Sequence, residues 1–271
     1  MSQLVTLDGV VVDAVPPEWV LVPYGVFTSF VAVDGSVLDW AEHLRRLSFG
    51  TRTLWGEYVS AELVQEALAQ HLVERSARAP GPATVRITLY PAQLSMATPA
   101  AASGCRVLIS SRAFDFPVAA QRDFRVGTAN FRRDLPEVKS TATLGQIRLR
   151  REAQLAGYDD VLFRQGDEVL EGSTWAVVCW LGSEVVTPRQ DVLASVSAGS
   201  LGRVARSFGR EFGVRPVRMA ELFDAELVLA CSVNNPARSI GSIDGAPVAQ
   251  DTDLLARIAA AYAELPRTAI D

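Results

Sequence analysis

The chain has 271 residues, of which 49% are hydrophobic and 21% are charged, and its formal net charge is -5. This composition indicates a folded globular protein and excludes a disordered one. An acidic balance argues against a nucleic-acid partner, which normally requires a basic surface. The length allows either one large domain or two of ordinary size.

The sequence gives no strong signal for a membrane-spanning helix, a secretory signal peptide or a metal site. No apolar run approaches the roughly 20 residues of a spanning helix, and the first residues lack the pattern of a signal peptide. Cys105, Cys179 and Cys231 are widely spaced and are expected as buried thiols in a reducing cytoplasm. With only His43 and His71, we expect no histidine-based metal site.

The N-terminal half alternates between strand and helix patterns. Residues 20–40 are rich in strand formers around VDGS, which predicts two strands and a turn. Residues 40–55 and 60–77 carry apolar residues at helical spacing. Strands are then predicted for TVRITLY, CRVLISSR and FRVGTA, with a low-complexity loop at 91–104 after the first of them.

The C-terminal half has a different pattern. Residues 142–158 predict an amphipathic helix that ends at Gly157. Residues 159–188 predict three successive strands, with hairpin turns at QGDE and LGSE. A helix at about 198–212 follows, then strands in VRPVRM, AELVLACSV and ARSIGSIDG, and a closing helix from Asp251.

Strands outnumber helices and are joined by hairpins, which favours an α+β fold over a doubly wound parallel sheet. Pro136, in DLPEV, lies where one domain would pass to the next. The sequence therefore predicts an N-terminal α+β domain over residues 1–130 and a C-terminal domain over 131–271 that carries Lys139 and Glu171.

Lys139 is the only lysine among 26 basic residues. A guanidinium stays protonated in proteins, whereas an ε-amine can lose its proton and act as a nucleophile or base. One interpretation is that the chemistry of this protein requires an amine at position 139. The other is that Lys139 is an ordinary solvated charge.

Pyridoxal phosphate is the commonest cofactor that requires such an amine. It needs a lysine, an acidic group at its pyridine nitrogen, and cations, hydroxyls and N–H groups around its phosphate. Glu171, in VLEGSTW, ends a predicted strand 32 residues after Lys139 and is followed by Gly172, Ser173 and Thr174. Glu171 suits the acidic role, although glutamates at strand ends are usually solvated.

Several motifs in order resemble the fold type IV pyridoxal-phosphate enzymes, which are the class IV aminotransferases. These motifs are YGVFTSF with HLRRL, RRDLPEVKSTATL, VLEGSTW, DVLASVSAGSL, and AELVLACSV with ARSIGSIDG. The family includes branched-chain and D-amino-acid aminotransferases and aminodeoxychorismate lyase. The resemblance implies a smaller N-terminal α/β sandwich, a larger C-terminal β-rich domain, and a homodimer.

The resemblance also implies roles for individual residues. Lys139 would form the Schiff base with the cofactor and carry the proton during catalysis, and Glu171 would pair with the pyridine nitrogen. Contacts with the cofactor phosphate would come from Arg46, Val196, Ser197 and Ser232.

The chain also departs from the family pattern. Thr28 replaces the glutamate of the family's F-E-T motif, and Ala176 replaces a frequent asparagine. Ser195 and Ala198 replace the glycine and arginine of the phosphate segment, and Leu144 replaces a tyrosine of branched-chain enzymes. These departures argue against a branched-chain substrate.

Three functions are therefore open. The first is an aminotransferase acting on an amino acid and a keto acid through Lys139. The second is an aminodeoxychorismate-type lyase that releases pyruvate, and the third is a non-catalytic relative with a decayed site. Arg112, Arg132, Arg133 and Arg150 are available to bind a substrate carboxylate, but the sequence does not choose among them.

Overall fold

The structure is a computed structural model, and it describes residues 3–14, 19, 22–115 and 124–271. Its contacts divide the chain into two compact units. The first unit comprises Met1–Phe116, Val138–Ala142 and Pro266–Asp271. The second comprises Pro117–Glu137 and Thr143–Leu265.

The first unit is built on an antiparallel sheet. Its strands are β1 (Leu4–Leu7), β2 (Val10–Val11), β3 (Val26–Val33), β4 (Ser36–Leu38), β5 (Ala83–Tyr90), β6 (Arg106–Ala113) and β17 (Arg267–Ala269). Their order in the sheet is β17-β4-β3-β5-β6-β1-β2. The helices are α1 (Trp40–Trp55), α2 (Ala61–Arg78) and a single 3-10 turn at Pro99–Ala101.

Side-chain alternation along the strands builds the core of this unit. Val26 and Phe30 point to one face of β3, and Ile87 points to the same face of the paired strand β5. All three are buried with Leu47 of α1 and Leu68 of α2 in one cluster. The helices therefore cover one face of the sheet, and the residues that alternate with these, such as Phe27 and Arg86, lie on the other.

The second unit contains a mixed sheet. Its strands are β7 (Phe124–Asn130), β8 (Asp160–Gln165), β9 (Glu168–Gly172), β10 (Ala176–Leu181), β11 (Glu184–Thr187), β12 (Glu211–Val214), β13 (Val217–Arg218), β14 (Leu227–Cys231), β15 (Arg238–Ile243) and β16 (Ala246–Pro247). Their order in the sheet is β12-β11-β10-β14-β15-β7-β8-β9-β13, and β16 pairs with β15. β7 pairs in parallel with β8 and β15, and β11 pairs in parallel with β12.

The helices of the second unit are α3 (Leu144–Leu155), α4 (Val196–Ser207), α5 (Met219–Asp224) and α6 (Thr252–Ala263). Trp180 of β10 is buried with Leu201 of α4 and Ile258 of α6. A second cluster joins α3 to the sheet through Ala153 and Phe163. Among the described residues, no helix is long and apolar enough to span a membrane.

The predicted α+β class is confirmed, and so is the turn at VDGS. Asp34 and Gly35 have φ of 47° and 71°, the positive values that a type I′ hairpin requires at both central residues. The predicted helix at 142–158 is shorter, Leu144–Leu155, and Gly157 follows it with φ of 91°.

The helix predicted at about 198–212 ends at Ser207, because Gly209 follows with φ of 73° and Glu211 already belongs to β12.

Two further predictions about the second unit were wrong. Residues 159–188 form four strands instead of three, because a turn in which the Gly172 N–H donates to the Trp175 carbonyl at 2.8 Å separates β9 from β10. VRPVRM is not a single strand, because Met219 begins α5. The Arg218 N–H donates to the Glu221 carboxylate at 2.8 Å, a contact that favours the start of a helix.

The two contact units do not divide the chain between residues 130 and 131, where the sequence predicts the domain boundary. Strand β7 lies in the second unit because it pairs with β8. The segment Val138–Ala142, which includes Lys139, lies in the first unit because Ser140 forms a bridge with Val26 at the start of β3.

Candidate active site

Lys139 lies on a short segment that hydrogen-bonds to the beginning of β3. The Phe27 N–H donates to the Lys139 carbonyl at 2.8 Å, and the Thr141 N–H donates to the Gly25 carbonyl at 2.8 Å. Val138 is fully buried in the core of the same unit. The backbone at position 139 is therefore held on both sides, and the amine extends from a rigid base.

The side chain of Lys139 shares an aromatic ring with a second cation. Its Nζ lies 4.8 Å from the centroid of the Phe27 ring, and Cζ of Arg86 lies 3.6 Å from the same centroid. The Arg86 Nε donates to Thr88 Oγ1 at 3.3 Å, and burial lowers the pKa of the guanidinium. No carboxylate of the described residues pairs with Arg86, which remains a cation at neutral pH.

His43 of α1 is a buried neutral imidazole on which the charges of Arg46 and Lys139 act. Its Nδ1 lies 2.7 Å from Thr28 Oγ1. Burial and then the charge of Arg46 lower the pKa of His43 to about 3; Lys139 acts in the same direction and Asp39 opposes it. Thr28, which replaces a family glutamate, thus provides a neutral partner for a neutral histidine.

Glu171 of β9 is held by an arginine in the second unit. The Arg133 Nε donates to Glu171 Oε1 at 2.7 Å, and the Leu193 N–H donates to Oε2 at 3.3 Å. The side chains of Arg133 and Glu171 are only 11% and 12% exposed. The orientation of the carboxylate is therefore fixed from two directions.

The turn that follows Glu171 is rigid. A Cβ on Gly172 would lie 1.9 Å from the Trp175 ring, so a larger residue there would displace the tryptophan. The Ser173 hydroxyl donates to Asp160 Oδ1 at 2.6 Å, and Arg150 pairs with Oδ2 at 3.3 Å. Arg150 is therefore engaged by a buried carboxylate and is a poor substrate ligand.

The first turn of α4 is capped by its own sequence. Ser195 is the N-cap residue, and its Oγ accepts from the Ala198 N–H at 3.2 Å. Val196 and Ser197 follow at the first helical positions, where backbone N–H groups have no acceptor within the helix. This is the kind of backbone that binds anions well.

Ser232 lies beside this helix start. It follows Cys231, whose thiol hydrogen-bonds to Ser195 and whose backbone pairs with Ala176 of β10. Ser232 begins a tight turn in which its Oγ accepts from the Asn235 N–H at 3.3 Å. The departures at Ala176 and Ser195 are therefore neighbours in the fold.

The structure groups the predicted site residues in two sets. Lys139 and Arg46 lie in the first unit, where both act on His43. The second unit holds Glu171, Val196, Ser197 and Ser232. The described residues contain no group of histidine, cysteine, aspartate and glutamate side chains that could hold a metal ion.

The sequence analysis does not predict the placement of Arg86 beside Lys139, although a charge inside the alternating strand TVRITLY is a usable signal for it. It also leaves the role of Arg133 open, because no sequence pattern indicates the pairing of Arg133 with Glu171.

Comparison with protein families identifies the chain. The model of the class IV amino-transferases matches residues 25–243. The chain therefore belongs to the class IV aminotransferases, a family of pyridoxal-phosphate enzymes, as its motifs indicated. No curated protein sequence matches it.

Solved structures show the same fold. A fold IV transaminase from Curtobacterium pusillum has a TM-score of 0.83 at 21% identity, covering 97% of this chain and 100% of that one. A hypothetical aminotransferase from Mycobacterium tuberculosis, bound to alpha-ketoglutarate and PMP, has a TM-score of 0.81 at 19% identity, covering 96% and 98%. A putative 4-amino-4-deoxychorismate lyase from Legionella pneumophila has a TM-score of 0.78 at 16% identity, covering 92% and 93%.

Proposed function

We propose that this protein is a pyridoxal-phosphate-dependent aminotransferase that moves an amino group between an amino acid and a 2-keto acid, with Lys139 as its catalytic residue. The observation that carries the proposal is the placement of the chain's one lysine. Its backbone is fixed against Gly25–Phe27, and its Nζ lies beside the Phe27 ring. An amine on a rigid base meets the reacting atom in the same geometry at each turnover.

The residues present fit the chemistry of the cofactor. Pyridoxal phosphate, when bound, supplies an electron sink for negative charge at the substrate Cα. Lys139 would hold the cofactor at its aldehyde carbon and would move a proton at the substrate Cα, and Glu171 would pair with the pyridine nitrogen. Arg46, and Val196 and Ser197 in the first turn of α4, would bind the phosphate, because guanidinium and helix N–H groups suit an anion.

Ser232 adds a hydroxyl to the phosphate ligands. Its oxygen accepts from Asn235, which leaves the hydroxyl hydrogen to donate to an anion. The replacement at Ser195 is compatible with this role, because Ser195 caps α4 through the Ala198 N–H and so fixes the turn that bears Val196.

Arg86 binds the carboxylate of the substrate. It lies on the same phenyl ring as Lys139, it is partly buried, and its charge has no carboxylate partner among the described residues. Placing a charged guanidinium in such a position is unfavourable unless an anion compensates it. Amino acids and keto acids both carry the carboxylate that would do so.

Replacing Arg86 with glutamine is expected to raise KM for the amino acid and for the keto acid about tenfold or more, with a smaller change in kcat, because a charge-assisted hydrogen bond to the substrate is lost. Steady-state kinetics measures both constants. Arg112→Gln is the matched control, since Arg112 is an exposed arginine on the neighbouring strand β6. A KM within twofold of the wild type for Arg86→Gln would exclude this role.

The reaction type is tested with purified protein, pyridoxal phosphate and a panel of L- and D-amino acids. An aminotransferase loses the visible absorbance of the bound cofactor when its amino acid is added and regains it with a 2-keto acid. A lyase of the aminodeoxychorismate type instead releases pyruvate while the absorbance returns without a keto acid. No absorbance at saturating cofactor would overturn the proposal and favour a non-catalytic relative.

From the family resemblance, we also infer a homodimer that acts in the cytoplasm on small molecules, without nucleic-acid or membrane partners. Light scattering of the purified protein would measure the mass of the assembly.

A further inference from the structure

Arg133 interacts with both Glu171 and the loop that leads into Lys139. Its Nε donates to Glu171 Oε1 at 2.7 Å. Its Nη2 donates to the Pro136 carbonyl, and its Nη1 lies 3.4 Å from the Leu135 carbonyl. One guanidinium therefore joins the glutamate to a loop that ends three residues before Lys139 in the sequence.

We propose that Arg133 is a positioning residue that sets the orientation of the Glu171 carboxylate for the cofactor, an inference that rests on the proposed function. The side chains of the pair are only 11% and 12% exposed. The pair is therefore screened less by water than a surface ion pair, and its geometry is better defined. With Oε1 engaged by Arg133 and Oε2 by the Leu193 N–H, the plane of the carboxylate is determined.

The chemistry of arginine is necessary for this arrangement. A guanidinium has five N–H donors in a flat, rigid fork, so it can serve a carboxylate and main-chain carbonyls in one plane. A lysine ammonium would offer a point charge without that fixed geometry. The arrangement also removes Arg133 from the arginines that could bind a substrate carboxylate, because its guanidinium already pairs with Glu171.

The neighbouring arginine provides a matched contrast. Arg132 pairs with Asp191 at 2.9 Å, but the side chains of that pair are 52% and 35% exposed. Adjacent residues of the same type thus form one exposed and one enclosed ion pair in the same unit. Only the enclosed pair includes a residue assigned to the cofactor.

The test is a double-mutant cycle on cofactor affinity, with Arg133→Gln, Glu171→Gln and the double variant. Glutamine is chosen because it adds no second lysine to the chain. Titration with pyridoxal phosphate is followed by quenching of tryptophan fluorescence, which requires no turnover. Each single variant is expected to raise Kd about tenfold or more, and the double variant is expected to exceed the weaker single variant by less than about threefold, because one interacting unit is removed.

A merely structural role for Arg133 predicts a different result. If Arg133 only stabilised its loop, the effects of the two substitutions on Kd would multiply, and that outcome would overturn the inference. A Kd for Arg133→Gln within twofold of the wild type would do the same. Millimolar guanidinium ion is expected to restore affinity to Arg133→Gly but not to Glu171→Gln, and Arg132→Gln is expected to bind like the wild type.

The two proposals fail in different ways. Wild-type protein that does not bind pyridoxal phosphate would overturn the proposed function and the role of Arg133 together. Wild-type protein that binds it, with multiplying effects in the cycle, would overturn only the role of Arg133.

Discussion

Lys139→Ala is expected to abolish amino-group transfer without unfolding the protein. The loss of proton transfer alone should lower kcat about 10²- to 10⁴-fold, and the loss of the covalent link to the cofactor adds to it. The fold should survive, because the Lys139 carbonyl and buried Val138 hold this segment in the first unit and the variant keeps both. Kinetics with excess cofactor and far-UV circular dichroism measure the two effects.

A charge-preserving variant tests whether catalysis requires an amine at position 139 or only a positive charge. Lys139→Arg keeps a cation beside Phe27 but cannot lose its proton, so it should be as inactive as Lys139→Ala. Arg45→Ala is the control, since Arg45 is an exposed arginine of α1 that pairs with Glu42. Borohydride reduction should fix the cofactor on the wild type and on neither variant at 139. Substantial activity in Lys139→Arg would remove Lys139 from the mechanism.

The local elements of this fold could be predicted because their causes are local. The turn at Asp34–Gly35 and the helix Trp40–Trp55 depend on a few adjacent residues and on apolar spacing. The parallel pairing of β7 with β8 and β15 could not be read in this way, because hairpin signals identify only antiparallel neighbours. The start of α5 likewise depends on the Glu221 side chain meeting one backbone N–H.

The residues of the candidate site also differ in whether a local sequence pattern could indicate them. Lys139 could be proposed because lysine is otherwise absent from the chain, and Glu171 because it stands at a fixed interval from Lys139 inside recognisable motifs. Arg133 could not be singled out in a chain with so many arginines, and the only sequence signal for Arg86 is a charge inside the alternating strand TVRITLY. Their roles depend on what surrounds each guanidinium, a partly buried carboxylate in one case and an aromatic ring in the other.

The stability of the protein is expected to fall as the pH decreases below about 6.5, because both histidines of the chain are buried in neutral form. His71 places Nδ1 2.8 Å from Thr6 Oγ1 and Nε2 2.8 Å from Ser111 Oγ. Burial and then the charge of Arg75 lower the pKa of His71 from 6.5 to about 4. The pKa of His43 is lowered to about 3, chiefly by burial.

The direction of the pH dependence of stability follows from the number of protons that the folded and unfolded states bind. Between the folded-state pKa values and 6.5, the unfolded chain binds a proton at each histidine and the folded chain does not. Stability is therefore full above 6.5 and decreases as the pH falls, by about 1.4 kcal/mol per pH unit for each histidine. Carboxylates add little between about pH 5 and 6, since their ordinary pKa values lie near 4.

Urea unfolding at several pH values between about 5 and 6 would measure this slope. The double variant His43→Asn, His71→Gln contains no histidine, and its amides can still hydrogen-bond to Thr28 and to Thr6 or Ser111. It is expected to be less stable than the wild type at pH 7 but to lose the slope of about 2.7 kcal/mol per pH unit that the two histidines together contribute. An unchanged slope would show that the histidines are protonated in the folded protein. In that event His43 would add a positive charge beside Arg46 and Lys139, and the neutral pairing with Thr28 would have to be abandoned.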